Sequence, residues 1–87
     1  MGSYENTYER IMTKPTAKDI TPDELKSFLK HYGFNLKRTK GSHFFYEYTT
    51  RVRNHQFPIP MHNPIKPSYI DMIREIINEE EDDNGEL

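Results

Sequence analysis

The spacing of apolar positions changes twice along the chain, and the changes mark its elements. Leu25, Phe28, Leu29 and Tyr32 recur at i, i+3, i+4 and i+7, the stripe of a helix with one buried face. Thr21-Pro22-Asp23-Glu24 starts that helix, with Thr21 as N-cap, Pro22 at the first helical position and Glu24 closing a capping box; Gly33 stops it. From Phe34 the period falls to two. Phe34 and Leu36 alternate with Asn35 and Lys37, which predicts a strand over Phe34 to Thr39. A turn at Lys40 to Ser42 leads into a second strand, His43 to Thr49, and a hairpin near Thr50 to Asn54 leads into a third, His55 to Pro60. Pro58 and Pro60 have no N–H to give to a ladder, so this strand belongs at a sheet edge. After a loop over Met61 to Ile65 the helical period returns near Pro67, with Ile70, Ile73 and Ile77 as the stripe and Tyr69 and Ile76 beside it.

The pattern predicts an α+β domain of order α-β-β-β-α over residues 21–79, a three-stranded antiparallel sheet with two helices on one face. Residues 1–20 hold no sustained period and read as a flexible N-terminal extension with a short turn of helix near Tyr8 to Met12. Residues 80–87 read as an acidic disordered tail, because like charges at a helix C-terminus oppose its macrodipole. Side-chain parity, taken with a second loop centred near Val52, places Phe34, Leu36, Phe45, Phe57 and Ile59 on the core face. The same register puts Arg38, His43, Glu47 and His55 at the margins of that face and Lys37, Phe44, Tyr46 and Tyr48 on the other, and sets His43 opposite Met61, next to His62.

Composition narrows the classes. A chain of 87 residues with 33% apolar content supports one small core. The absence of cysteine removes disulfides, thiolate zinc sites and thiol nucleophiles, and fits a reducing, cytoplasmic setting. No apolar run approaches the roughly 20 residues that span a bilayer. The net charge of −2 conceals an asymmetry: Lys26, Lys30, Lys37, Arg38, Lys40, Arg51 and Arg53 face only Glu47 between positions 26 and 53, whereas the last nine residues carry six acids and no cation. A basic body with an acidic tail points to a polyanionic partner and a solvated tail that competes for the same surface, or else reads as ordinary solvated charge.

RNA carries a 2′-hydroxyl beside its own phosphodiester, so a base that removes this proton lets the oxygen attack phosphorus without metal or cofactor. Histidine suits that proton transfer, and His43 is the candidate base. Arg38, Lys40 and the backbone amides of Gly41 and Ser42 are near enough in sequence to stabilise the phosphoryl oxygens. Lys66 and the N-terminus of the last helix offer a second phosphate site. His62 is either a general acid toward the leaving 5′-oxygen or a loop cap. A metal site would require His43, His55 and His62 to meet through the fold. Two other readings stay open: a non-catalytic RNA-binding module using Lys37, Arg38, Lys40 and Lys66, and a protein-interaction domain using Phe44, Tyr46 and Tyr48, which could equally stack bases.

The run Glu24-Leu25-Lys26, Leu29-Lys30, Gly33-Phe34, then Arg38, Lys40-Gly41-Ser42-His43 and Tyr46, then Ile59-Pro60-Met61-His62-Asn63, Ile65-Lys66-Pro67, Ile70 and Ile73 resembles the HicA toxin family in order and spacing. The resemblance implies a fold similar to the double-stranded RNA-binding domain and metal-independent cleavage of mRNA by a toxin of a type II toxin-antitoxin system. It implies that His43, in the Gly-Ser-His motif, is the catalytic residue; Tyr46 and His62 are kept beside it as auxiliary candidates that the resemblance does not itself assign. It also implies a HicB-type antitoxin as the neutralising protein partner.

Overall fold

The computed structural model describes residues 3–81. Its elements are α1 (Ser3–Met12), α2 (Pro22–Tyr32), β1 (Asn35–Lys40), β2 (His43–Thr49), β3 (Asn54–Pro60) and α3 (Pro67–Glu81). The strands form one antiparallel sheet in the order β1-β2-β3. This is the expected α+β architecture with a further helix in front of it.

Helix α2 forms for the reasons its sequence states. The Glu24 N–H donates to Thr21 Oγ1 at 3.2 Å and the Thr21 N–H donates to Glu24 Oε1 at 3.0 Å, so two otherwise orphaned donors satisfy each other's residue. At the far end Gly33 takes φ 117°, a left-handed conformation open to glycine, and its N–H donates to the Leu29 carbonyl at 3.1 Å. Leu25, Phe28 and Leu29 then meet Phe34, Tyr46, Phe57 and Ile59 of the sheet segment and Ile70, Ile73, Ile76 and Ile77 of α3 in one core.

The face assignment of β2 is the main correction. Phe44, Tyr46 and Tyr48 point into the core, and Tyr46 is only 4% exposed. Phe45 lies on the solvent side with His43 and Glu47. The β2–β3 pairs run His43↔Pro60, Phe45↔Pro58 and Tyr46↔Phe57, one residue away from the expected register, and one residue of slip turns a whole strand over. The cause is the loop, which holds four residues, not five. Thr50 closes it: its N–H donates to the Arg53 carbonyl at 2.9 Å, and its Oγ1 accepts from the N–H groups of Val52 and Arg53 at 3.1 and 3.2 Å. On the other side a bulge between Leu36 and Arg38 shifts the β1–β2 register, from Arg38↔Phe45 near the turn to Leu36↔Tyr46 beyond it. Phe34 can therefore stack on Tyr48, with ring centroids 4.3 Å apart, while Arg38 faces solvent. Leu36, expected in the core, is 48% exposed.

The N-terminal segment contains more structure than a turn. Helix α1 packs on α2 and α3, with Ile11 fully buried and Tyr4 stacked on Phe28 at 5.3 Å. Ile20 is buried too, and its carbonyl accepts from the Ile65 N–H at 2.9 Å, which brings the starts of α2 and α3 to one end of the molecule.

Glu79, Glu80 and Glu81 also belong to α3, and each is fastened. Glu81 accepts from the hydroxyls of Tyr8 and Tyr32 at 2.8 and 2.9 Å, and Glu80 from the Arg51 N–H at 3.2 Å. Glu79 meets His55 Nε2 at 2.6 Å, Thr50 Oγ1 at 2.8 Å and an Arg53 guanidinium nitrogen at 3.3 Å. These contacts offset the unfavourable macrodipole. Residues 82–87, where the rest of the acidic tail was expected, lie outside the described residues. The hydrogen bond with His55, then that with Thr50, holds the Glu79 carboxyl below its ordinary value, against an opposing effect of burial; the charge of Arg53 adds to the lowering. Because folding depresses this pKa, the stabilisation is complete above the unfolded value of 4.5 and is lost as pH falls through the folded one. In thermal melts from neutral to strongly acidic pH, wild type should exceed Glu79→Gln in Tm at neutral pH. The gap should close only below the unfolded value.

Candidate functional site

The solvent face of the sheet gathers what the sequence scattered. Lys40 and His43 flank a two-residue turn in which Gly41 has φ 59°, and a Cβ there would meet nothing within 4 Å, so the backbone and not crowding makes the case for glycine. His43 thus opens the central strand, paired with Lys40 on one side and Pro60 on the other, and is exposed. The Met61 N–H donates to the Ser42 carbonyl at 2.7 Å, which ties the turn to the end of β3. His62, the next residue, is exposed, and its N–H donates to the Pro60 carbonyl at 3.0 Å.

Strand alternation puts Arg38, Lys40, His43, Phe45, Glu47, Gln56 and Pro58 on this one face. The Arg38 guanidinium lies over the Phe45 ring, 4.2 Å from its centroid, a cation–π contact. Lys37, the bulge residue, reaches Glu47 Oε1 at 3.3 Å. Glu47 Oε2 accepts from Asn54 at 3.1 Å and Gln56 at 3.2 Å. The Asn54 bond first, and then Lys37, hold the Glu47 carboxyl below its usual value against opposing desolvation. The only acid of the basic stretch is thus ionised and already engaged.

Lys66 is exposed and stands just before α3, its carbonyl accepting from the Tyr69 N–H at 2.9 Å. The first turn of α3 contains no acidic residue, so the positive end of its dipole is not neutralised locally. The contacts Met61–Ser42 and Ile65–Ile20 bring this helix start, the Gly41-Ser42 turn and His43 to the same end of the fold. Tyr46 is placed differently: it faces the helices, and burial raises its phenol pKa. His55 is also apart, paired with Tyr48 at the far end of the sheet and engaged by Glu79, roughly 17 Å from His43 at ~3.4 Å per residue. Among the described residues no group of three or more His, Asp or Glu comes together as metal ligands. Sequence reasoning missed Phe45, Gln56 and Pro58 on this face. Parity with the buried Phe57 and Ile59 already sets Gln56 and Pro58 on the outer side of β3, and only the loop length would have revealed Phe45.

Fold and face together define a small α+β domain that presents a cationic, solvent-open sheet surface with a histidine at the head of its central strand. Residues 22–78 match the family model described as the HicA toxin of bacterial toxin-antitoxin, and the chain belongs to the HicA toxin family. The match runs from the start of α2 into α3 and leaves α1 outside. No curated protein and no solved structure matches the chain. Among the described residues no helix is long and apolar enough to cross a membrane.

Proposed function

We propose that this toxin-family domain is an endoribonuclease that cleaves mRNA with His43 as general base and is neutralised by a HicB-type antitoxin. The observation that carries this is His43 itself, exposed beside Lys40 on a cationic face, in the Gly-Ser-His segment of a HicA-family chain. In this reading His43 takes the proton of a ribose 2′-hydroxyl and the freed oxygen attacks the adjacent phosphorus. The bond from phosphorus to the 5′-oxygen breaks, and that oxygen takes up a proton, for which His62 is the candidate donor. Lys40 and the amides of the Gly41-Ser42 turn stabilise the charge on the phosphoryl oxygens. Lys37, Arg38 and Lys66, with the start of α3, hold the strand to either side. An antitoxin that covers this face would block all these groups at once.

The atom balance yields fragments with a 2′,3′-cyclic phosphate and a 5′-hydroxyl, with no metal taking part. Incubating the protein with a long single-stranded RNA in EDTA should therefore give fragments with those ends, and the same sequence with 2′-O-methyl riboses should stay intact. RNA that binds but stays whole would mark a non-cleaving RNA-binding module instead.

A further inference from the structure

Cleavage at His43 gives Phe45, Gln56 and Pro58, in the middle of the open sheet face, no role of their own. There Arg38, Phe45 and Pro58 sit together: the guanidinium covers the ring at 4.2 Å, and Pro58 stands opposite Phe45 in register. With Lys37 and Gln56 they line a shallow hollow of about 250 Å³. No helix of the described residues packs on this side of the sheet, so an aromatic ring gains little from burial there. What the ring does is hold a guanidinium across the surface, and guanidinium planes and rings are the supports on which unpaired bases stack.

The rim of the hollow is polar in a fixed sense. Gln56 Nε2 donates to Glu47 Oε2 at 3.2 Å and to Asn54 Oδ1 at 3.0 Å, and Lys37 holds the other Glu47 oxygen. This network turns the amide nitrogen toward the acid and leaves Gln56 Oε1 with no donor among the described residues, open as an acceptor. The exocyclic amine of cytosine or adenine could donate to it, whereas the same edge of uracil presents a carbonyl. His43 is two residues from Phe45 on the same face, roughly 7 Å along the strand.

We infer that Arg38, Phe45 and Pro58 form a subsite for one unpaired, amine-bearing nucleobase of the RNA strand acted on at His43, with Gln56 as its hydrogen-bond acceptor. The inference rests on the reading of this face as an RNA site and deepens it. A duplex keeps its bases stacked inside and cannot use the hollow, so the subsite selects single strands.

The test uses the full chain carrying His43→Ala, which keeps the RNA whole, and measures affinity for short oligocytidylate, oligouridylate and an RNA duplex over a salt series. Adding Phe45→Leu should weaken oligocytidylate binding about five- to a hundredfold. The slope of log affinity against log salt should stay unchanged, because no phosphate contact is lost, and duplex affinity should not move. Adding Gln56→Ala, at an exposed position, should abolish the preference for oligocytidylate over oligouridylate. Unchanged affinity with Phe45→Leu, an equal loss toward the duplex, or no preference between the two oligonucleotides in the parent would each overturn the subsite while leaving cleavage at His43 intact. A parent that binds no RNA would overturn the underlying reading as well.

Discussion

His43→Ala should lower RNA cleavage at least about a hundredfold, and by up to about ten-thousandfold, the range over which a positioned proton-transfer group contributes. The expectation is sharp because the side chain has no competing structural duty. It is exposed, it heads the strand without entering the core, and its backbone pairing with Lys40 and Pro60 is kept by alanine. Surface substitutions of this kind usually change stability by less than about 0.5 kcal/mol, so Tm should hardly move. Binding should also survive, since Lys37, Arg38, Lys40 and Lys66 remain. Lys66→Ala makes the useful comparison: it should weaken binding and flatten its salt dependence by about one phosphate contact. Single-turnover cleavage with RNA in excess of its Kd separates the two effects. Equal cleavage by wild type and His43→Ala would remove histidine catalysis from the account, whatever the RNA affinity.

The parts of this fold that are legible in the sequence are those whose causes are local. Thr21, Pro22 and Glu24 cap α2 within four residues of one another, and Gly33 ends it through its own φ; both signals sit in the segment they control. The facing of β2 has a different origin. It depends on whether four or five residues make the loop after Thr49, and Thr50 decides this with a side-chain oxygen that accepts two backbone N–H groups. Periodicity alone reads Phe44-Phe45-Tyr46 equally well in either orientation, because aromatic residues occupy both faces. The bulge at Lys37 compounds the ambiguity by reversing the alternation halfway along β1. His43, Lys40 and the Gly41 turn could be found because they are contiguous in the chain, while the facing of Phe45 depends on register. Helix α1 was hidden for a further reason. Its anchor is a charged side chain 63 positions away, and no pattern of apolar residues marks an arginine as a core residue.

That anchor supports a second large effect: Arg74→Met should destabilise the domain by about 2–4 kcal/mol. Arg74 is 5% exposed. Its Nε–H donates to the Ile11 carbonyl at 2.8 Å, one guanidinium nitrogen to Thr16 Oγ1 at 2.8 Å and the other to Asp71 Oδ1 at 2.9 Å. Thr16 in turn donates to the same Asp71 oxygen. One cation thus joins the end of α1, the segment after it and α3. Methionine fills a similar length with no donor, so a buried carbonyl is left unpaired and Asp71 loses its counter-charge. Asp71 is half exposed, and water can recover part of that second loss, which keeps the figure below the full cost of breaking a buried ion pair. In a domain of this size each kcal/mol moves Tm by roughly 4–8 °C, so the fall should be about 10 °C or more. The network lies on the helix side, away from the His43 face, and RNA affinity per folded molecule should stay at the wild-type level below the new midpoint. A melt within about 2 °C of wild type would mean that α1 is held by Ile11 and its aromatic contacts with α2 alone. A full-size fall with α1 still protected from hydrogen exchange would place the loss in α3 instead.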